Sequence, residues 1–150
     1  MGDEKKFSER LKKELSDRGL ISEQKFKQCL AEASKKQESL VEILYQSSGL
    51  AEKDVTAVVS QIFGYPPINV STFIIEDQVL GLVPKEFAKK YHLLPVTLLE
   101  NALTVAIADP TDLRAIDDLR AKLGLRIKPA VAIPGQLDAA IQKYYGNGAK

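Results

Sequence analysis

The chain is poor in the residues that build metal sites and covalent cross-links: among 150 residues there is one cysteine, Cys29, and one histidine, His92. One cysteine forms no internal disulfide, and one Cys with one His falls short of a structural zinc site. That usage fits a reducing compartment. Long apolar runs are missing too. The N-terminus, MGDEKKFSERLKKEL, has no apolar stretch of signal-peptide length, and no window reaches the roughly 18 apolar residues of a spanning helix. Neither sign of charge dominates, with 21 Lys and Arg against 20 Asp and Glu. Bulk electrostatics therefore give no reason to expect nucleic acid or an anionic membrane as partner. The expectation is a cytoplasmic protein without direct membrane insertion, long enough to bury one good core or two small ones.

Catalytic motifs are also missing. A phosphate-cradling loop needs Gly-x-x-x-x-Gly-Lys-Ser/Thr, so that backbone amides and a lysine meet the phosphates, and that string does not occur. Nor do Gly-x-Gly-x-x-Gly or Gly-x-Ser-x-Gly. His92 has no acid or nucleophile spaced to suggest a triad and reads as a structural or surface residue. Asp117 and Asp118 are neighbours on a helical stretch, so they point about 100° apart and read as a solvated face. Cys29 falls in the apolar spacing of a helix and reads as a small core residue. Lys85, Lys89 and Lys90 lie on a different helical stretch from Tyr144 and Tyr145, without the basic and aromatic alternation of a single-strand nucleic-acid site. No catalytic, metal or cofactor residue is assigned, and the chain is not expected to be an enzyme in itself.

What is present is helical and strand periodicity in sequence order. From Ser8 to Phe63 apolar residues recur at helical spacing: Phe7, Leu11, Leu15; Phe26, Cys29, Leu30, Ala33; Leu40, Ile43, Leu44; Val55, Val58, Val59, Ile62. Four short helices follow. Gly19, Gly49 and Gly64 stand where left-handed residues would stop helices, and Ser22 stands where an N-cap would start one. GLISEQKFKQCL (19–30) and GLAEKDVTAVVS (49–60) form a weak internal repeat of period 30. Tyr65-Pro66-Pro67 breaks the rhythm, since proline does not continue a helix. Pro84 can open a short helix carrying Phe87, Ala88 and Tyr91. Leu93–Leu99 and Ala102–Ala108 then read as strands joined at Glu100-Asn101. The turn Asp109-Pro110-Thr111-Asp112 offers N-caps to a helix through Leu113, Ile116, Leu119 and Leu123 that stops at Gly124. Arg126–Ile133 is a third strand, and Pro134 starts a last helix through Leu137, Ala140, Ile141 and Tyr144, closed by Gly146. The expected class is α+β: a helical subdomain over 1–64, a connector over 65–81, and a small sandwich over 82–146 with at least three strands and helices on one side. A frayed tail follows at 147–150. An unpaired sheet edge there would suit the addition of a partner strand.

Two stretches carry a resemblance. LVPKEFAKKYHLLPV (82–96) and LTVAIADPTDLRAIDDLRAKLGLRIKPAVAIPGQLDAAIQKYYG (103–146) resemble the N-terminal domain of type II secretion E ATPases and type IV pilus assembly ATPases. The helical half is similar to the companion subdomain of that family, ending on Gln61-x-Phe63-Gly64-x-Pro66. The resemblance implies a domain ahead of a motor that lies outside this chain. It also implies contact with the cytoplasmic part of an inner-membrane platform protein, hence a place at the inner membrane through partners. Docking is the function expected on these grounds.

Some members of the family bind cyclic di-GMP through two motifs of Arg-Leu-Gly, spaced aliphatics, a glycine and a closing glutamine. An arginine can stack on guanine and pair with phosphate, and glycine allows close backbone approach. The resemblance places the candidate ligand site on Arg10, Leu11, Leu15, Gly19, Leu20, Ile21, Phe26, Leu30, Leu40 and Leu44. The chain departs from the motifs at Lys12 (for glycine), Ser16 (for an aliphatic) and Ala33 (for glutamine). In the second motif, Glu38 or Ser39 stands for arginine and Val41 for glycine, while Gln61 can close it. The same aliphatics could equally build a helical core, leaving Arg10 as a solvated surface residue.

Overall fold

A computed structural model describes the backbone of residues 2–111 and 113–146 and the side chains of residues 6–111 and 114–146. Asp112 as an N-cap candidate, the Leu113 side chain and the 147–150 tail lie outside the described residues. The chain divides into two compact units, Met1–Gly64 and Tyr65–Lys150.

The first unit is four helices: α1 (Gly2–Asp17), α2 (Glu23–Lys36), α3 (Leu40–Ser47) and α4 (Glu52–Phe63). Side-chain caps start α2 and α3, with Ser22 Oγ accepting from Lys25 N–H and Ser39 Oγ from Glu42 N–H, both at 3.1 Å, whereas Ala51 before α4 supplies no side-chain cap. Gly19 (φ +68°) and Gly49 (φ +79°) make the left-handed turns after α1 and before α4. A Cβ at either position would meet nothing within 4 Å, so glycine is required there by conformation and not by space. Leu11, Leu15, Phe26, Ile43, Leu44 and Val58 are buried, and Phe7 packs its ring 4.6 Å from that of Phe63.

The second unit begins in the stretch expected to be a plain connector, which has structure of its own. Prolines 66 and 67 cannot donate, yet the Pro66 carbonyl accepts from Val131 N–H and Ile68 N–H donates to Val131 C=O, both at 2.9 Å. A 3-10 turn at Val70–Thr72 and the helix α5 (Asp77–Leu80) follow, then α6 (Lys85–Tyr91), β1 (Leu93–Leu99), β2 (Ala102–Ile107), α7 (Leu113–Leu123), β3 (Arg126–Val131) and α8 (Pro134–Tyr145). The sheet order is β1-β2-β3, antiparallel then parallel, with α7 as the crossover. Tyr145 on α8 holds its hydroxyl 3.0 Å from Val83 C=O and 3.3 Å from Leu80 C=O.

The expectation of helices on one side of the sheet needs correcting. Leu93–Val96, Val105–Ala108 and Ala130–Ala132 are each buried at consecutive positions. Because successive strand residues point to opposite faces, both faces are covered at that end. At the hairpin end one face stays open, where Thr97, Leu99, Arg126 and Lys128 are exposed.

Both edges of the sheet lack a backbone donor at the same level. Arg126 N–H donates to Asn101 C=O and Ala132 N–H to Ile107 C=O, each at 2.8 Å. Even-numbered β3 residues therefore turn their backbone to β2, and Pro129 faces outward. By the same parity Ala102, Thr104 and Ala106 of β2 turn to β1, which leaves Pro95 facing outward on the other edge. Neither proline has a donor to offer there.

Candidate functional site

The residues that the resemblance assigns to a ligand site fall into two groups. Leu11, Leu15 and Leu44 are 0 % exposed and Phe26 is 1 % exposed, so their side chains are core. Arg10, Gly19 and Leu30 are exposed, while Leu20, Ile21 and Leu40 are half-buried. Gly19, Leu20 and Ile21 form the turn between α1 and α2, fastened by Leu20 N–H to Leu15 C=O at 2.9 Å. The surface-reachable part of the set is thus Arg10 on α1, this turn, Leu30 on α2 and Leu40 at the start of α3.

The polar groups around them are mostly engaged. Lys12, where the family motif has glycine, places Nζ 3.2 Å from Glu23 Oε1 in the first turn of α2. The lysine hydrogen bond and charge, with Lys27 behind them, hold the Glu23 carboxyl below its ordinary pKa. Arg18 hydrogen-bonds the Gln61 side chain and lies 3.5 Å from Glu14. Glu32 on α2 accepts from Lys36 and from Ser47 Oγ on α3, both at 2.9 Å, which likewise keeps its carboxyl below the usual range. Arg10 is different: among the described residues its guanidinium has no hydrogen-bond or ion-pair partner. Arg18 was not singled out by motif, although a cation next to Gly19 and opposite a motif glutamine was its only signal.

In the second unit, His92 caps α6 in the left-handed region (φ 52°) and holds Nε2 2.7 Å from Asp138 Oδ1 on α8, with both side chains more than half exposed. Asp117 pairs with Arg120 at 3.4 Å, whereas Asp118 accepts from the Tyr91 hydroxyl at 2.9 Å, so the two acids serve different partners. Cys29 is buried, and burial raises its thiol pKa. Among the described residues no three His, Cys, Asp or Glu side chains gather as a metal set, and no helix is long and apolar enough to cross a membrane.

The sequence pattern of the MshEN domain family matches residues 63–150. This chain is a member of the MshEN family. Over 139 residues, 93% of its length, it is 33% identical to the type IV pilus assembly ATPase PilB of Myxococcus xanthus, of which it covers 25%. It is 28% identical over 120 residues to the type II secretion system protein E of Xanthomonas campestris, covering 73% of this chain and 20% of that protein. Among solved structures, MshE with cyclic di-GMP is similar at a TM-score of 0.76 and 25% identity, over 91% of this chain and 99% of that one. The N-terminal domain of XpsE is similar at a TM-score of 0.76 and 25% identity, over 91% and 94%. This MshEN domain spans a quarter or less of those curated relatives. It is homologous to the N-terminal domain of secretion and pilus ATPases and is not their catalytic region.

Proposed function

We propose that this MshEN domain is a non-catalytic docking and regulatory module of a type IV pilus assembly or type II secretion ATPase. It binds a partner protein and relays that binding to a motor domain outside residues 1–150. The observation that carries the reading is that homology to these ATPases runs over 93% of a chain in which no phosphate-cradling loop occurs. The partner class is the cytoplasmic part of the inner-membrane platform protein, which would hold the ATPase at the inner face of that membrane. The test compares the full ATPase with a form lacking residues 1–150, using purified platform protein on a biosensor. The deletion is expected to abolish capture and to leave basal nucleotide hydrolysis in place. Undiminished capture by the deleted form would sink the proposal.

A second reading is a cyclic di-GMP sensor, favoured by Arg10, which has no partner among the described residues, and by the likeness to MshE with that dinucleotide. Burial of Leu11, Leu15, Phe26 and Leu44 leaves the exposed Arg10 and the Gly19–Ile21 turn to meet the ligand, and Lys12 is already paired to Glu23 beside them. Calorimetric titration with cyclic di-GMP decides it, with Arg10→Ala as control. Heat released by the parent and lost in the variant supports the sensor. A flat trace on folded parent removes it and leaves docking alone.

A further inference from the structure

Ile74 is 91 % exposed, the most exposed large apolar side chain described, yet it is not loosely held. The Tyr144 hydroxyl on α8 donates to Phe73 C=O at 3.0 Å and accepts from Ile75 N–H at 3.2 Å. Both backbone neighbours of Ile74 are therefore fixed to one helix. Phe73 beside it is 39 % exposed, and the exposed acids Glu76 and Asp77 follow. Among the described residues the Ile74 N–H has no hydrogen-bond acceptor. The result is a presented knob: an aliphatic tip, a spare donor and negative charge, pre-ordered so that seating it freezes little further motion.

Next to the same tyrosine runs a groove of about 400 Å³, walled by Val70, Gln136, Ala139, Ala140, Lys143 and Tyr144. Its lining is mainly apolar. Gln136 Oε1 is buried and no described donor reaches it, an arrangement that native structures rarely leave unpaired. At the rim, Lys143 Nζ stands 5.2 Å from the Tyr144 ring centroid. The groove thus offers an apolar wall to the aliphatic tip of the knob and positive charge to its acids.

We infer that knob and groove are the two halves of one self-association surface, and that the occupant is a second copy of this domain. Because both features border Tyr144, they share one patch, and a two-fold axis through that patch brings each Ile74 to the other copy's groove. Glu76 and Asp77 of each copy then face Lys143 of the other.

Sedimentation equilibrium of this chain from micromolar to millimolar concentration tests the inference. The expected result is a reversible monomer–dimer equilibrium that Ile74→Asp abolishes. Lys143→Glu is expected to weaken it at least about tenfold, and combining it with Glu76→Lys and Asp77→Lys to restore it, as opposite charges facing one another require. Ile74, Glu76, Asp77 and Lys143 are all exposed, and circular dichroism of each variant verifies folding. An excess of the peptide VSTFIIEDQVL, residues 70–80, should dissociate the dimer. A monomer throughout the range overturns the inference, as does a dimer indifferent to Ile74→Asp or a charge exchange that fails to rescue.

Discussion

Pro95 and Pro129 flank the same residue: each is the register partner of Val105, one from either side of the central strand. Both nitrogens face outward, so the two edges lose a donor at one level and the sheet stops at three strands. An edge with unpaired donors is a template for another chain, and proline is a common protection against it. Strand addition, attractive from sequence, meets a blocked position on both sides. Replacing Pro129 by valine returns an outward N–H. Pro129→Val is expected to keep the fold and to raise light scattering on prolonged warming. Scattering identical to the parent would show that the proline protects nothing.

Tyr145 fixes the stretch between α5 and α6. Tyr145→Phe removes the donor to the Leu80 and Val83 carbonyls and should lower stability by about 1 kcal/mol in denaturant melts. Burial pushes the phenol from 10.0 up to about 12. The folded state therefore holds the proton more tightly than the unfolded chain. Its contribution is complete below pH 10 and is lost as pH rises toward 12. Melts from neutral pH into this range should show that decline in the parent, with a shallower one in Tyr145→Phe.

Gly19 and Gly49 are required by backbone alone. Alanine at either should cost about 1–2 kcal/mol, the penalty of an L-residue in the left-handed region. Asparagine should cost less. Equal losses for alanine and asparagine in chemical denaturation would point to some other cause.

Leu44 and Arg10 belong to the same family motifs but to different environments. Leu44→Ala at a fully buried site should cost about 2–5 kcal/mol. Arg10→Ala on the surface should stay within about 0.5 kcal/mol. A large loss of stability in Arg10→Ala would mean that its guanidinium supports the fold.

Much of the fold was legible because its signals are local. Gly64, Gly124 and Gly146 all end helices with positive φ, at 73°, 67° and 72°, and Ser22 caps α2. The hairpin turns at Glu100, φ 57°, where the two aliphatic runs part. Pro84, which its sequence position suits to the first residue of a helix, instead sits one place outside α6, at ψ 148°. α1 begins at Gly2, ahead of the first apolar residue of its stripe, because a polar first turn carries no periodic signal. The stretch 65–81 hid its order for another reason: its bridge to Val131 joins segments far apart in the chain, and two prolines disguise it. The same limit applies at the candidate site. Aliphatics such as Leu15 and Phe26 have the same spacing whether they wall a ligand or fill a core, and the contact of Arg18 with Gln61 spans 43 residues.

Tyr144 and Tyr145 are neighbours on the last turn of α8, yet they grip opposite ends of one stretch, at Phe73 and Ile75 and at Leu80 and Val83. That turn acts as a latch on a segment that lies up to 71 residues earlier. A clip after Lys143 would leave every sheet residue in place and still release this segment. Its first sign would be protease cuts near Phe73 and Leu82, well before any loss of β-structure.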